Sequence, residues 1–281
     1  MNKCIFVSFA STNMKDSLDR IGRQAHSMGV FDDVYLYTEE DLPEYGKTRC
    51  KEIIEKTGTK KGYAYWCWKS IIINDLLAKM QEGEVLIYSD AGTHLNNNGV
   101  GKLKEYIDMA IQNDIWVVEL EDIHPIKKWC KKDTIDYFVE HIVQEDSLSE
   151  FMNLLNEPQL EAGTIILIKN EYTVNLMKQW EYLMSEENLH LFDDSPSVAS
   201  NYPEFKEHRH DQSVLSLLLK ANHYSSTDTS HFWASTEEGW RNLRKGEPFL
   251  HLRDVCRSSE EKKHKQFSVG LLIKKIRDLV N

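Results

Sequence analysis

Two short runs place carboxylates where chemistry on a small molecule would need them. In Tyr88-Ser89-Asp90-Ala91-Gly92, an apolar run ends and a turn of small residues begins. Open α/β sheets bind ligands beyond the carboxyl ends of their strands. A carboxylate at that place can hold a divalent cation, and Gly92 lets backbone approach closely. A hard cation suits a diphosphate, because it neutralises charge that grows as a leaving group departs. The plain alternative is an Asp that caps the turn. The other run is His208-Arg209-His210-Asp211-Gln212-Ser213, directly before the apolar Val214-Leu215-Ser216-Leu217-Leu218. Asp211 is placed to act as a helix N-cap or as a general base. A hydroxyl attacking an anomeric carbon loses its proton as the bond forms, and a carboxylate in reach contributes about 10²–10⁴ in rate. Arg209, His210 and Gln212 beside it suit sugar hydroxyls or phosphate oxygens.

Four further runs carry candidates. Lys61-Gly62-Tyr63-Ala64-Tyr65-Trp66-Cys67-Trp68-Lys69-Ser70 is dense in aromatics, which pack in cores and also stack on sugars and bases. Read as a helix, it pairs Tyr65 with Trp68 on a core face. It pairs Trp66 with Lys69 on a neighbouring face, where Lys69 can meet a phosphate. Trp129-Cys130-Lys131-Lys132-Asp133 reads as a solvated basic turn. Glu161-Ala162-Gly163-Thr164 reads as a tight strand entry in which Gly163 leaves room for a sugar ring. In Phe249-Leu250-His251-Leu252-Arg253, His251 is the candidate that completes a metal site with Asp90.

These residues need a scaffold, and the hydrophobic pattern supplies one. Cys4 to Phe9 reads as a buried strand that runs into a loop at Ser11-Thr12-Asn13, with a helix over Asp16 to Met28 and a strand over Val34 to Tyr37. This β-α-β alternation predicts a parallel sheet with helices on its faces. A helix is expected from about Tyr63 to Met80 and another over Lys102 to Gln112. Strands are expected at Glu84 to Tyr88, Ile115 to Leu120 and Thr164 to Ile168, and a buried helix near His210. Asp122 to Asn156 and Asp193 to His208 read as loop-rich insertions over a sheet edge.

The 281 residues, 41% hydrophobic and 28% charged, fit one α/β domain rather than a disordered chain. The net charge of −11 disfavours nucleic-acid binding, which needs a positive field. The five scattered cysteines include no CxxC pair and read as free thiols of a reducing compartment. No apolar run approaches the roughly 20 residues of a membrane span, and Met1 to Ala10 lacks a signal-peptide layout, so the expected location is the cytoplasm. Residues 1–255 are read as the domain. Residues 256–281 are a basic amphipathic segment, alternating Lys262, Lys263, Lys265, Lys274, Lys275 and Arg277 with apolar positions. That segment has two readings: a terminal helix packed on its own domain, or a peripheral contact with anionic lipid on the inner face of the cytoplasmic membrane.

As a set, the motifs resemble GT-A-type glycosyltransferases of bacterial capsule and O-antigen (lipopolysaccharide) loci. The matching stretches are Gly62 to Lys69, Val85 to Gly92, Trp129 to Asp133, Glu161 to Ile166 and His208 to Ser213, which span residues 4 to 255 with their flanking strands. The resemblance implies a GT-A (Rossmann-like) α/β fold: a mixed, mostly parallel central sheet with helices on both faces, one domain plus a C-terminal amphipathic helix. It implies a nucleotide-sugar donor, commonly UDP-linked, bound by Phe9, Ala10 and Ser11 after the first strand and near Tyr88, Ser89 and Asp90, with Lys69. It implies Mn²⁺ or Mg²⁺ at the Asp90 turn, and Asp211 facing a glycan or lipid-linked glycan acceptor. Trp66, Gly92, Glu161, Ala162, Gly163, Arg209, His210 and Gln212 would then shape the sugar pocket. Galactosyl- and galactofuranosyl-transferases are the nearest in kind. The usual signature has two acidic residues one position apart; here Tyr88 and Gly92 flank Asp90.

The mechanism that follows is direct displacement with inversion and Asp211 as base; in a retaining variant Asp211 would only position the acceptor. Two other classes compete. A sugar nucleotidyltransferase would carry a Gly-rich basic loop after the first strand, and Ser8 to Lys15 contains no glycine. A non-catalytic glycan-binding module would suit the aromatic cluster but has no need of a general base.

Overall fold

The structure is a computed structural model that describes residues 2–121, 123–224, 226 and 232–253. The elements, in chain order, are β1 (Cys4–Phe9), α1 (Lys15–Met28), β2 (Asp33–Tyr37), α2 (Glu44–Thr57), the short turn α3 (Gly62–Tyr65), α4 (Trp68–Lys79), β3 (Val85–Ser89), β4 (His94–Leu95) and α5 (Val100–Asn113). There follow β5 (Ile115–Trp116), α6 (Ile126–Trp129), α7 (Lys132–His141), α8 (Leu148–Leu154), β6 (Thr164–Ile168), α9 (Glu171–Leu183), α10 (His210–Ala221), α11 (Glu237–Leu243) and β7 (Phe249–Leu250).

The central sheet has the order β2-β1-β3-β6-β5. β1 runs parallel to both β2 and β3, while β6 is antiparallel to β3 and to β5. The strands read as near-continuous apolar runs because both faces are covered. Ile5, Val7, Leu86, Tyr88, Ile165 and Leu167 point into one core with residues of α2, α4, α9 and α10. Phe6, Val85, Ile87 and Ile166 point into a second core with residues of α1 and α5. The alternation of faces along each strand thus builds the expected mixed sheet between two helical layers.

The order 2-1-3 makes a switch point. β1 connects to β2 through α1 on one face, and the chain returns to β3 through α2 and α4 on the other. A crevice opens between the carboxyl ends of β1 and β3, where open α/β sheets place ligands. Because β6 is reversed, its first residue, Thr164, lies beside Ser89 at that same end.

The structure departs from the pattern reading in three places. The stretch from Tyr63 is not the start of a long helix: Gly62 to Trp66 turn left-handed before α4 begins at Trp68. The strand expected over Ile115 to Leu120 pairs as strand only at Ile115 and Trp116; beyond it the backbone N–H of Val117 donates to the Tyr224 hydroxyl. Residues 123–156, expected to be loop-rich, are largely helical (α6, α7, α8), because Ile126, Ile135, Phe138 and Phe151 bury themselves against the first core. By contrast Asp193 to His208 holds no helix or strand. Cys4, Cys50, Cys67 and Cys130 are free and buried. No described helix is long and apolar enough to cross a membrane. The C-terminal segment 256–281, with its amphipathic reading, lies outside the described residues.

Candidate active site

Three chain segments deliver polar groups to the crevice. Asp90 follows β3, and its backbone N–H donates to the carbonyl of Gly163, 2.8 Å away, just before β6. Asp211 stands in the first turn of α10. Lys69 stands in the first turn of α4, with only 2% of its side chain exposed. The Lys69 ammonium donates to Asp211 Oδ2 at 2.6 Å and to the Ala162 carbonyl at 2.9 Å, and pairs with Asp90 Oδ1 at 3.4 Å. The two acidic residues singled out in the sequence therefore meet at one cation. Asp211 does not cap its helix; its carboxylate turns to Lys69 instead. Lys69 has three donors and directs them at these three oxygens.

The electrostatics follow from burial against pairing. Burial pushes the Lys69 pKa down, but Asp211 and Asp90 outweigh it and the net shift is upward, so the ammonium stays charged. Burial pushes the Asp211 pKa up, and Lys69 only partly offsets this, leaving the carboxyl above its ordinary value. Burial and the Asp90 charge raise the Tyr88 phenol, which stays neutral and donates to Asp90 Oδ1. Without the shared cation, two nearby carboxylates would push one another toward protonation.

These groups form the floor of a cavity of about 870 Å³. Its walls are the loop after β1 (Phe9, Ala10, Ser11), the turn at Gly62, Tyr63 and Trp66, the strip Asp90-Ala91-Gly92, and Ala162-Gly163. The run Glu207 to Gln212, Asp194 and Arg253 complete it. Oδ1 of Asp211 and Oδ2 of Asp90 accept no hydrogen bond from any described residue.

The turn at Gly62 is unusual. Gly62, Tyr63, Ala64, Tyr65 and Trp66 all have φ between 45° and 64°. The N–H groups of Tyr65 and Trp66 donate to the carbonyls of Lys61 and Gly62, one turn back, at 2.8 and 3.1 Å. Left-handed helix costs L-residues about 1–2 kcal/mol each, so four of them in a row require external support. Asp194 provides part of it: Lys61 donates to its oxygens at 2.8 and 2.9 Å, and the Tyr65 hydroxyl at 3.1 Å. His210 provides more. Its Nδ1–H donates to the Phe192 carbonyl at 2.7 Å, and its ring stacks on Trp66 with centroids 5.3 Å apart. The Trp66 ring also lies on Gly62, where an added Cβ would come within 2.4 Å of it. Trp66 is thus packed between Gly62 and His210 and offers the cavity an edge.

The Trp129 to Asp133 stretch proves to be an anchor rather than a solvated turn. Lys131 is buried, and its ammonium donates to the carbonyls of Asp193 and Ser195 and to their side chains at 3.1–3.3 Å. The Asp133 carboxylate accepts from the backbone N–H groups of Val198 and Ala199. Together they fix the irregular loop that carries Asp194.

His251 and Glu161 sit together in an adjoining lobe, with Nδ1 2.6 Å from Glu161 Oε1 and Nε2 3.2 Å from the Thr164 hydroxyl. Burial lowers the His251 pKa, but Glu161 and Asp90 raise it further, and the net shift is upward. Both ring nitrogens are engaged, so His251 offers no lone pair to a cation in this arrangement. No group of three or more His, Cys, Asp or Glu side chains is arranged to hold a metal among the described residues. Asp90 Oδ2 remains, facing Gly163; a Cβ there would stand 3.4 Å from it. One carboxylate oxygen fits a magnesium-like ion that takes its other ligands from water and substrate phosphates.

Of the sequence candidates, Phe9, Ala10, Ser11, Trp66, Lys69, Asp90, Gly92, Ala162, Gly163, Arg209, His210, Asp211 and Gln212 line the one cavity. Tyr88 and Ser89 lie beneath it in the sheet, and Glu161 and His251 lie in the side lobe. Asn13, Lys60, Tyr63, Asp194 and Arg253 line the cavity too and were not singled out. Asp194 sits in a proline-containing loop without periodicity, and only tertiary pairing gives it away.

No protein-family model and no curated protein sequence matches the chain. Among solved structures, the chain is similar to a glycosyltransferase involved in the glycosylation of the major capsid of PBCV-1. The two are 11% identical over 94% of this chain and 99% of that one, with a TM-score of 0.43. It is also similar to mouse xyloside xylosyltransferase 1 in its apo form, at 9% identity over 89% and 97% of the two chains and a TM-score of 0.41.

Proposed function

We propose that the chain is a glycosyltransferase that moves a sugar from a nucleoside-diphosphate donor to a hydroxyl of a glycan acceptor. One observation carries the reading: Asp90 and Asp211, each with an unbonded oxygen, meet at Lys69 on the floor of a cavity at the sheet's switch point. A pure binding site has little use for a buried carboxylate whose pKa is pushed up, whereas a general base gains strength from it.

In this mechanism the acceptor oxygen attacks the anomeric carbon as its proton passes to Asp211 Oδ1. The bond from that carbon to the diphosphate breaks on the opposite side, which inverts the centre. Lys69 holds Asp211 in place and keeps it ionised, with the Tyr88 hydroxyl and Lys69 together orienting Asp90. Arg209 and Arg253, which line the cavity, meet the charge of the departing diphosphate. A divalent cation held by Asp90 Oδ2, when bound, would neutralise that same charge. The motif resemblance favours a UDP-linked hexose, galactose or galactofuranose, and an acceptor of surface-polysaccharide assembly.

The test is a thermal-shift screen of nucleoside-diphosphate sugars with and without Mn²⁺. The expected outcome is a rise in Tm with at least one UDP-sugar, larger with the cation. No shift with any nucleotide sugar under either condition would overturn the reading.

A further inference from the structure

A second lobe of about 530 Å³ opens from the main cavity and shares with it Asp90, Gly92, Gly163, Arg209, Gln212 and Arg253. This volume lies within the ~300–1,000 Å³ usual for small-molecule sites. Its own walls differ from those of the main cavity. Trp233 is 55% exposed over it and Ile123 61% exposed, with Glu121, His124 and the Glu161–His251 pair between them. A large aromatic left half in water on a cavity wall is an incomplete contact.

The polar groups of the lobe are set for a neutral polyol. Gln212 donates its amide N–H to Gln159 Oε1 at 2.8 Å, which turns its own carbonyl oxygen the other way. Among the described residues nothing bonds that oxygen or the Glu121 carboxylate. Arg209 lies with its guanidinium 4.1 Å from the centre of the Trp129 ring, and the His124 ring packs on the same indole at 5.5 Å. These contacts set the Arg209 guanidinium over the indole, and Arg209 lines both lobes. Acceptors on one wall, donors on another and a single exposed indole match a sugar ring, which has hydroxyl edges and one apolar C–H face. A lipid chain would meet three carboxylates, those of Asp90, Glu121 and Glu161, and an acidic ligand would meet the same charges.

We propose that this lobe seats the acceptor sugar, with the Trp233 indole on its apolar face and Glu121 and the Gln212 carbonyl accepting from its hydroxyls. The placement rests on the glycosyltransferase reading. The lobe joins the main cavity at Asp90 and Gln212, and Asp211 lines the main cavity beyond that junction.

The experiment uses the full chain and two probes. Saturation-transfer NMR measures contact with the methyl glycosides of glucose, galactose, mannose and N-acetylglucosamine, and calorimetry measures UDP binding. At least one glycoside is expected to bind the native chain, and Trp233→Ala should weaken it about tenfold. Trp233→Phe should restore most of the contact, and UDP affinity should stay unchanged in both variants. Glycoside contact unaltered by Trp233→Ala, or no contact with the native chain, overturns the lobe assignment. Failure of UDP to bind while glycoside contact still depends on Trp233 instead sinks the donor reading and leaves the lobe as a sugar site.

Discussion

Lys69 is the residue on which the others depend. Removing one partner from a buried ion pair leaves a charge without compensation and costs about 3–5 kcal/mol. Lys69→Met keeps an unbranched side chain as far as the ε position and removes the ammonium, so urea unfolding should show a loss of that size. It should also act on the pH dependence of transfer. In the proposed mechanism Asp211 acts as a base only when ionised, and burial, which outweighs Lys69, holds its pKa above the ordinary carboxylate range. Activity should therefore fall as pH drops through that raised value. In Lys69→Met the acid limb should move to still higher pH, since the group that held the carboxylate ionised is gone. A variant of native stability with an unmoved acid limb would mean that Lys69 does not set the state of Asp211. Both aspartates stand out in the sequence as site candidates by residue type and position, one after an apolar strand and one before an apolar helix, and the structure brings them to one cavity. That Lys69 joins them was not legible there, because a three-way contact among α4, β3 and α10 leaves no local pattern.

Among the elements, the left-handed turn is the least readable and the most consequential. Its aromatics sit at helical spacing with Trp68 and Ile72, so the pattern reads as one helix from Tyr63 onward. The reversal of hand is imposed from outside by Asp194 and His210, each far away in sequence. His210 itself has a φ of 48°, so strained backbone meets strained backbone across the cavity wall. Gly62 was the one visible sign. Gly62→Ala puts a methyl group 2.4 Å from the Trp66 ring and adds a left-handed L-residue, at a combined cost of about 2–5 kcal/mol. Chemical denaturation should show that loss, and turnover should fall as Trp66 and His210 shift. Native stability in this variant would show that the turn is not packed as described. The loop from Asp193 to Asn201 illustrates the same point, since its order comes from Lys131 and Asp133 on a stretch that reads as a solvated turn.

At the scale of the whole molecule, the five strands of the central sheet and the helices α1, α5 and α10 followed from apolar runs and their period. β6 was recognised by its five apolar-rich residues, although nothing local tells that it runs antiparallel and so brings Gly163 to Asp90. The helices of the 122–156 region were hidden because their apolar faces are narrow and interrupted by charge. The chain's central arrangement is convergence: a carboxylate from each half of the fold, Asp90 and Asp211, arrives at one cation, Lys69. The most direct test is Asp211→Asn, which keeps the shape of the side chain and its place beside Lys69 while removing basicity. Donor affinity and sugar transfer are measured on the same preparation. Donor binding should be unchanged and transfer reduced by about 10²–10⁴. Transfer at a near-native rate in that variant would contradict the assignment of Asp211 as base.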